Sequence, residues 1–288
     1  MAENQTNNPG EKGPLYAPES GLSLFVKLFI IPAGIVLVAL GIFFLGTLAL
    51  QHPKSAEQYL EELKSDSTSR RWQAAYELSR MLNQGEKVQF DETLRGELVK
   101  TFQGAAQDDP RIREYLALVL GRLKEKTAVP ALASALKDES IDVKVYSLWA
   151  IGNIEDPSGG ASVMSALSDP DLGVRRMAVG ALSALRYAPA QAALESLLQD
   201  SNLGLRYDSA VALARMKDPK SLPVLKDMLD LKPTGKPEDD AMVQSARLAA
   251  LEVSREFSNG TLHEKVVGLS KNDPDLKVRE AALDALKK

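Results

Sequence analysis

Arg113, Lys144, Arg175 and Arg206 follow one another at intervals of 31 residues, and each is preceded by Ile or a similar apolar residue: Ile112, Val143, Val174 and Leu205. Weaker copies place the same column at Arg71, Gln244 and Arg279. A fixed period of this length cannot come from one globular core. It requires a stack of similar modules, each burying its apolar face against the next.

Each module reads as two helices. The first is short, as in residues 129–137 and 191–199. The second is expected to follow an acidic cap at Asp138, Asp169, Asp200 or Asp273, whose carboxylate would accept hydrogen bonds from the free first-turn N–H groups. At Asp169-Pro170 and Asp273-Pro274 a proline suits the opening of a helix. Small or apolar residues then recur at helical spacing, such as Ala178, Ala181, Leu182 and Leu185, or Ser147, Ala150, Ile151 and Ile154. The small ones let helices approach, and Leu and Ile fill the layer between modules. Aromatics make up only 6% of the chain, which favours packed helices over a β-sandwich.

These residues resemble the HEAT-repeat family, in particular the short bacterial HEAT-like repeats also found in phycobilin lyases. The motif D-P-x-x-x-V-R-x-x-A-x-x-A-L is complete at residues 169–182 and 273–286, while the middle copies carry Glu139 or Ser201 in place of proline. The resemblance covers residues 54–288. It implies an all-α, right-handed α-solenoid of about seven helix pairs. It also implies that the basic column pairs with acidic residues of adjoining units and seals the stack, each pair being partly exposed and weak alone. Two units are irregular: residues 84–91 extend a linker, and residues 230–240 form a polar insertion expected to be a surface loop.

Ahead of the repeats, Leu28 to Leu50 contains no charged residue. A helix of that length reaches roughly 35 Å, enough to cross the hydrocarbon layer. Residues 22–51 are therefore expected to form a single transmembrane helix, with Pro32 tolerated in its first turns. A cleaved signal peptide is the rival, with Thr47-Leu48-Ala49 as a weak cleavage site. The long lead ending at Lys27 favours an uncleaved anchor. Basic residues at the flanks lean slightly toward a cytoplasmic solenoid, with a periplasmic one nearly as well supported. Residues 1–21, polar and rich in Asn, Pro and Gly, are expected to be a disordered tail.

The chain offers little for catalysis. It has no cysteine, so thiolate chemistry and Cys-ligated zinc are excluded. No phosphate-binding, nucleophile-elbow or zinc motif occurs. The two histidines, His52 and His263, give one His-Glu pair with Glu264. The di-iron hydroxylases of similar architecture need several such pairs. No cofactor is expected. A net charge of −4 argues against nucleic acid as a partner.

What remains is a surface. The second and fifth positions after the basic column should face away from the core. They read Gln73, Tyr115, Tyr146, Met177, Asp208 and Tyr76, Leu118, Trp149, Gly180, Val211, with Arg80, Arg122 and Arg215 along the edge. Large aromatics and arginine dominate protein interfaces. The expected role is a membrane-anchored scaffold or adaptor that binds a protein partner, for instance as an accessory subunit of a membrane complex, and not an enzyme. The alternative implied by the resemblance is a lyase-like protein handling a chromophore or cofactor, held by Tyr115, Tyr146, Trp149 and Asp208.

Overall fold

The computed structural model of the chain describes residues 22, 25–50, 54–84, 90–257 and 260–287, and these divide into two compact units with the boundary after Lys54. The expected disordered tail at residues 1–21, His52 and most of the linker at residues 84–91 lie outside the described residues.

In the first unit a π-helical turn, Val26–Ile30, leads into helix α1, Ile31–Leu50. The wide turn ends at Ile30, two residues before Pro32. Proline has no N–H to donate and its ring crowds the preceding turn, so the backbone opens there without breaking the helix. The window Val26–Gly46 is long and apolar enough to cross a membrane, with a mean hydropathy of 2.8 and no residue buried by the rest of the chain.

The second unit, residues 55–288, consists of helices joined by short turns and loops, with no strand among its described residues. It comprises seven helix pairs: α2 Ala56–Leu63 and α3 Thr68–Asn83; α4 Glu92–Gly104 and α5 Pro110–Arg122; α6 Val129–Ala135 and α7 Ile141–Ile154; α8 Gly160–Ser165 and α9 Leu172–Leu185; α10 Gln191–Leu197 and α11 Leu203–Arg215; α12 Leu222–Asp230 and α13 Pro237–Ser254; α14 Thr261–Asn272 and α15 Leu276–Leu286. Second helices contact second helices along the whole series, α3 to α5 to α7 to α9 to α11 to α13 to α15. This is an α-solenoid. One core runs its length, with Leu116, Leu148, Ile151, Leu182 and Leu213 fully buried between units.

The caps sit two residues later than the sequence suggests. Ser140, Asp171, Asn202 and Asp275 are the N-caps of α7, α9, α11 and α15, and each accepts a backbone N–H from the first turn. Asp138, Asp169, Asp200 and Asp273 instead accept the N–H of those cap residues. These four repeats thus use two acceptors in series: one holds the tight turn and the next starts the helix. Pro170 and Pro274 lie inside that turn, ahead of the helix.

Asp138, Asp169 and Asp273, with Asp108 in the second unit, also seal the stack. The Arg113 guanidinium reaches Asp138, Lys144 Nζ lies 2.8 Å from Asp169, and Arg71 grips Asp108 with two hydrogen bonds of 2.8 and 2.6 Å. Burial would raise the Asp169 carboxyl, but hydrogen bonds from Lys144 and the Asp171 N–H outweigh it and hold it below its ordinary value. Arg175, Arg206 and Arg279 take another route and donate to the carbonyl of the aspartate six residues earlier in their own unit. In the irregular sixth unit Gln244 donates to Asp275, and Arg247, one turn further on, pairs with Asp273. That pair is buried, Arg247 at 4% and Asp273 at 5% exposure, unlike the weak exposed pairs expected.

The insertion is smaller than its polar sequence suggests. Pro237, Glu238, Asp239 and Asp240 already form the first turn of α13. The Asp240 carboxylate accepts the Thr234 N–H at 2.6 Å and the Gly235 N–H at 3.3 Å, so the loop at residues 231–236 is tied to the helix it precedes.

Candidate partner-binding face

The residues expected to form a surface strip lie on one face of the second helices, and the period that aligns them is the one that builds the core. Tyr76 on α3 is exposed at 41%. Tyr115 and Leu118 on α5, Tyr146 and Trp149 on α7, and Met177 on α9 are half-buried, while Arg80 and Arg122 are exposed and Arg215 half-buried.

Adjacent units bring these side chains together. The rings of Tyr76 and Tyr115 meet edge to face, 5.3 Å between centroids at 72°. The Arg122 guanidinium stands 5.6 Å from the Trp149 ring while its Nη2 donates to Asn83 Oδ1 at 2.8 Å. Arg111 lies 4.3 Å over the Trp72 ring, an aromatic that the two columns miss because it sits one residue after the basic position. Each contact joins one unit to the next, so the strip is partly a seam between modules. Burial raises the Tyr115 hydroxyl above its ordinary value, with smaller contributions from Glu114, Tyr146 and Tyr76.

Beyond Met177 the strip changes character. Gly180 has open space where a side chain would stand, and Arg176 Nε holds Asp208 Oδ2 at 2.6 Å. Asp208, a chromophore-contacting candidate on sequence grounds, is thereby occupied by an arginine.

Among the described residues no group of His, Asp or Glu has metal-binding geometry. His263 lines a cavity of about 420 Å³ with Phe257, Val266 and Leu286, away from the strip.

The HEAT-repeat family model matches residues 98–163, 136–202 and 160–246, which together cover just over half of the chain. Among solved structures, the CpcE–CpcF complex of phycocyanin lyase from Nostoc is similar with a TM-score of 0.55 at 16% identity, covering 82% of this chain and 97% of that one. YibA from Escherichia coli is similar with a TM-score of 0.50 at 18% identity, covering 81% and 92%. At such identities the likeness is one of fold. No curated protein matches the sequence. The three overlapping matches, the seven stacked helix pairs and the aspartate–arginine ladder together place the chain in the HEAT-repeat family.

Proposed function

We propose that this protein is a membrane-anchored scaffold that holds a protein partner against the face formed by α3, α5, α7 and α9. The carrying observation is the row of Tyr76, Tyr115, Tyr146 and Trp149. Tyr76, Tyr115 and Trp149 are held by contacts across units, and all four side chains still reach solvent. Rigid aromatics held in place lose little entropy on binding, which makes them strong anchors. The anchor is the apolar segment Val26–Gly46. Tethering would raise the local concentration of the captured partner.

The test is co-purification of the full chain in mild detergent. Wild type should bring down a stoichiometric partner. Tyr146→Ala with Trp149→Ala should lose it, since anchors of this kind contribute about 2 kcal/mol or more each. Recovery of the wild-type protein alone, or equal capture by the double variant at unchanged helicity, would sink the reading. Carbonate washing should leave the chain in the membrane fraction.

A further inference from the structure

The arginines along the proposed face mostly carry a counter-charge. Arg80 pairs with Glu77, Arg111 with Asp109, Arg176 with Asp208 and Arg215 with Glu252. Arg122, exposed in the last turn of α5, has no carboxylate partner among the described residues. Its guanidinium is nonetheless held in place. Nη2 donates to Asn83 Oδ1 at the end of α3, 2.8 Å away, and the group stands 5.6 Å from the Trp149 ring on α7. That ring is itself packed against α5, since a Cβ on Gly121, the neighbour of Arg122, would fall 2.8 Å from Trp149 Cζ3. Three consecutive units thus position one cation that none of them neutralises.

What these groups offer is donors. A guanidinium only donates, so Asn83 turns its carbonyl oxygen to Arg122 and leaves its amide N–H groups without a partner among the described residues. Arg122 Nε and Nη1 make no hydrogen bond there either. A guanidinium edge of this kind matches a planar carboxylate, which accepts two parallel N–H bonds. Lys124, two residues on, already holds Glu155 at 2.7 Å, so that acid is taken. We propose that Arg122 and Asn83 receive a carboxylate side chain from an acidic segment of the protein partner, with an apolar neighbour of that carboxylate covering the Trp149 ring. This assignment rests on the reading of the face as partner-binding. Covering the ring excludes water from the guanidinium and strengthens the new ion pair.

The experiment measures binding of a fluorescent, capped hexapeptide of alternating Glu and Leu to the full chain in mild detergent, with the same peptide carrying Gln for Glu as control. The acidic peptide should bind more tightly and be weakened by salt, and Arg122→Gln should weaken it roughly tenfold without affecting the Gln peptide. Asn83→Asp, which sets a carboxylate of the chain's own against Arg122, should weaken it as well. Lys277→Gln, which removes an exposed cation on distant α15, should leave it unchanged. Equal affinity of wild type and Arg122→Gln, or an equal loss in Lys277→Gln, overturns the proposal. Displacement of the peptide by inorganic phosphate, and not by acetate at equal ionic strength, also overturns it, in favour of a phosphate ligand. Circular dichroism and Tm of Arg122→Gln and Asn83→Asp guard against a folding effect. Capture of the natural partner separates the two readings. If Arg122→Gln captures it normally while the Tyr146/Trp149 double variant does not, the face stands and the carboxylate site falls. If the double variant also captures it, both fall.

Discussion

Gly121 on α5 and Trp149 on α7 lie in contact across the stack: a Cβ added to Gly121 would fall 2.8 Å from Trp149 Cζ3 and 2.8 Å from Ala150 Cα. The Trp149 ring can swing away, but the Ala150 backbone can yield only if α5 and α7 separate. Gly121→Ala is expected to cost about 1–3 kcal/mol in urea unfolding. It should also shift the tryptophan emission as the ring leaves Arg122. An unchanged midpoint and spectrum would show that the close approach is not maintained in solution.

The buried pairs should matter far more than the exposed ones. Arg247→Ala leaves the Asp273 carboxylate nearly without water, and a loss of about 3–5 kcal/mol is expected. Arg176→Ala, which removes the partner of Asp208 at the surface, should cost at most about 1 kcal/mol. Equal losses for the two variants, read from denaturation curves, would contradict this ranking.

Much of this was legible in the sequence because the solenoid is a one-dimensional object. The spacing of 31 marked the units, and Ala178, Ala181 and Leu182 marked the buried face. What escaped were features in which two residues compete for one role. In Asp169-Pro170-Asp171 either aspartate could cap. Asp169, extended ahead of Pro170, accepts the Asp171 N–H and holds the turn, so Asp171 becomes the cap; Asp138 and Asp200 do the same with no proline after them. In the sixth unit Gln244 keeps the register of the basic column while Arg247 takes over its ion pair, an exchange that only the position of Asp273 reveals. The strip residues were placed on the correct helices. Their contacts across units, Tyr76 with Tyr115 and Arg122 with Trp149, depend on helix separation, which no spacing encodes.

Four second helices, α5, α7, α9 and α11, share an unusual ending. Lys124, Glu155, Arg186 and Lys217, again 31 residues apart, all have positive φ, between 46° and 60°, in a conformation that favours glycine. Lys124 and Glu155 gain an ion pair of 2.7 Å there. Arg186, exposed, gains none among the described residues. Arg186→Gly should therefore stabilise the fold by about 0.5–1 kcal/mol, the relief of backbone strain exceeding the added freedom of the unfolded chain. Arg186→Ala, with a Cβ and no gain, serves as the control. A Gly variant no more stable than the Ala variant would refute the strain argument.

Ser147 and Ser209 occupy the position that Ala178 holds in the unit between them, and both hydroxyls are fully buried without a hydrogen-bond partner. A buried hydroxyl left unsatisfied costs about 1–3 kcal/mol. Replacing both with alanine should raise Tm or leave it unchanged. A marked loss would mean that the hydroxyls bond a carbonyl of the preceding turn or an internal water.

Glu114 gives the fold a pH dependence of definite sign. Its carboxyl sits above the ordinary value in the folded protein, chiefly through burial, so the folded state binds the proton more tightly than the unfolded chain. The stability contributed by that proton is complete in acid and is lost as pH rises through the folded value. Glu114→Gln keeps the shape and removes the charge. Its Tm should match wild type at about pH 3.5 and exceed it at about pH 7. A variant that melts lower at neutral pH would mean that the carboxylate already has a partner within the fold.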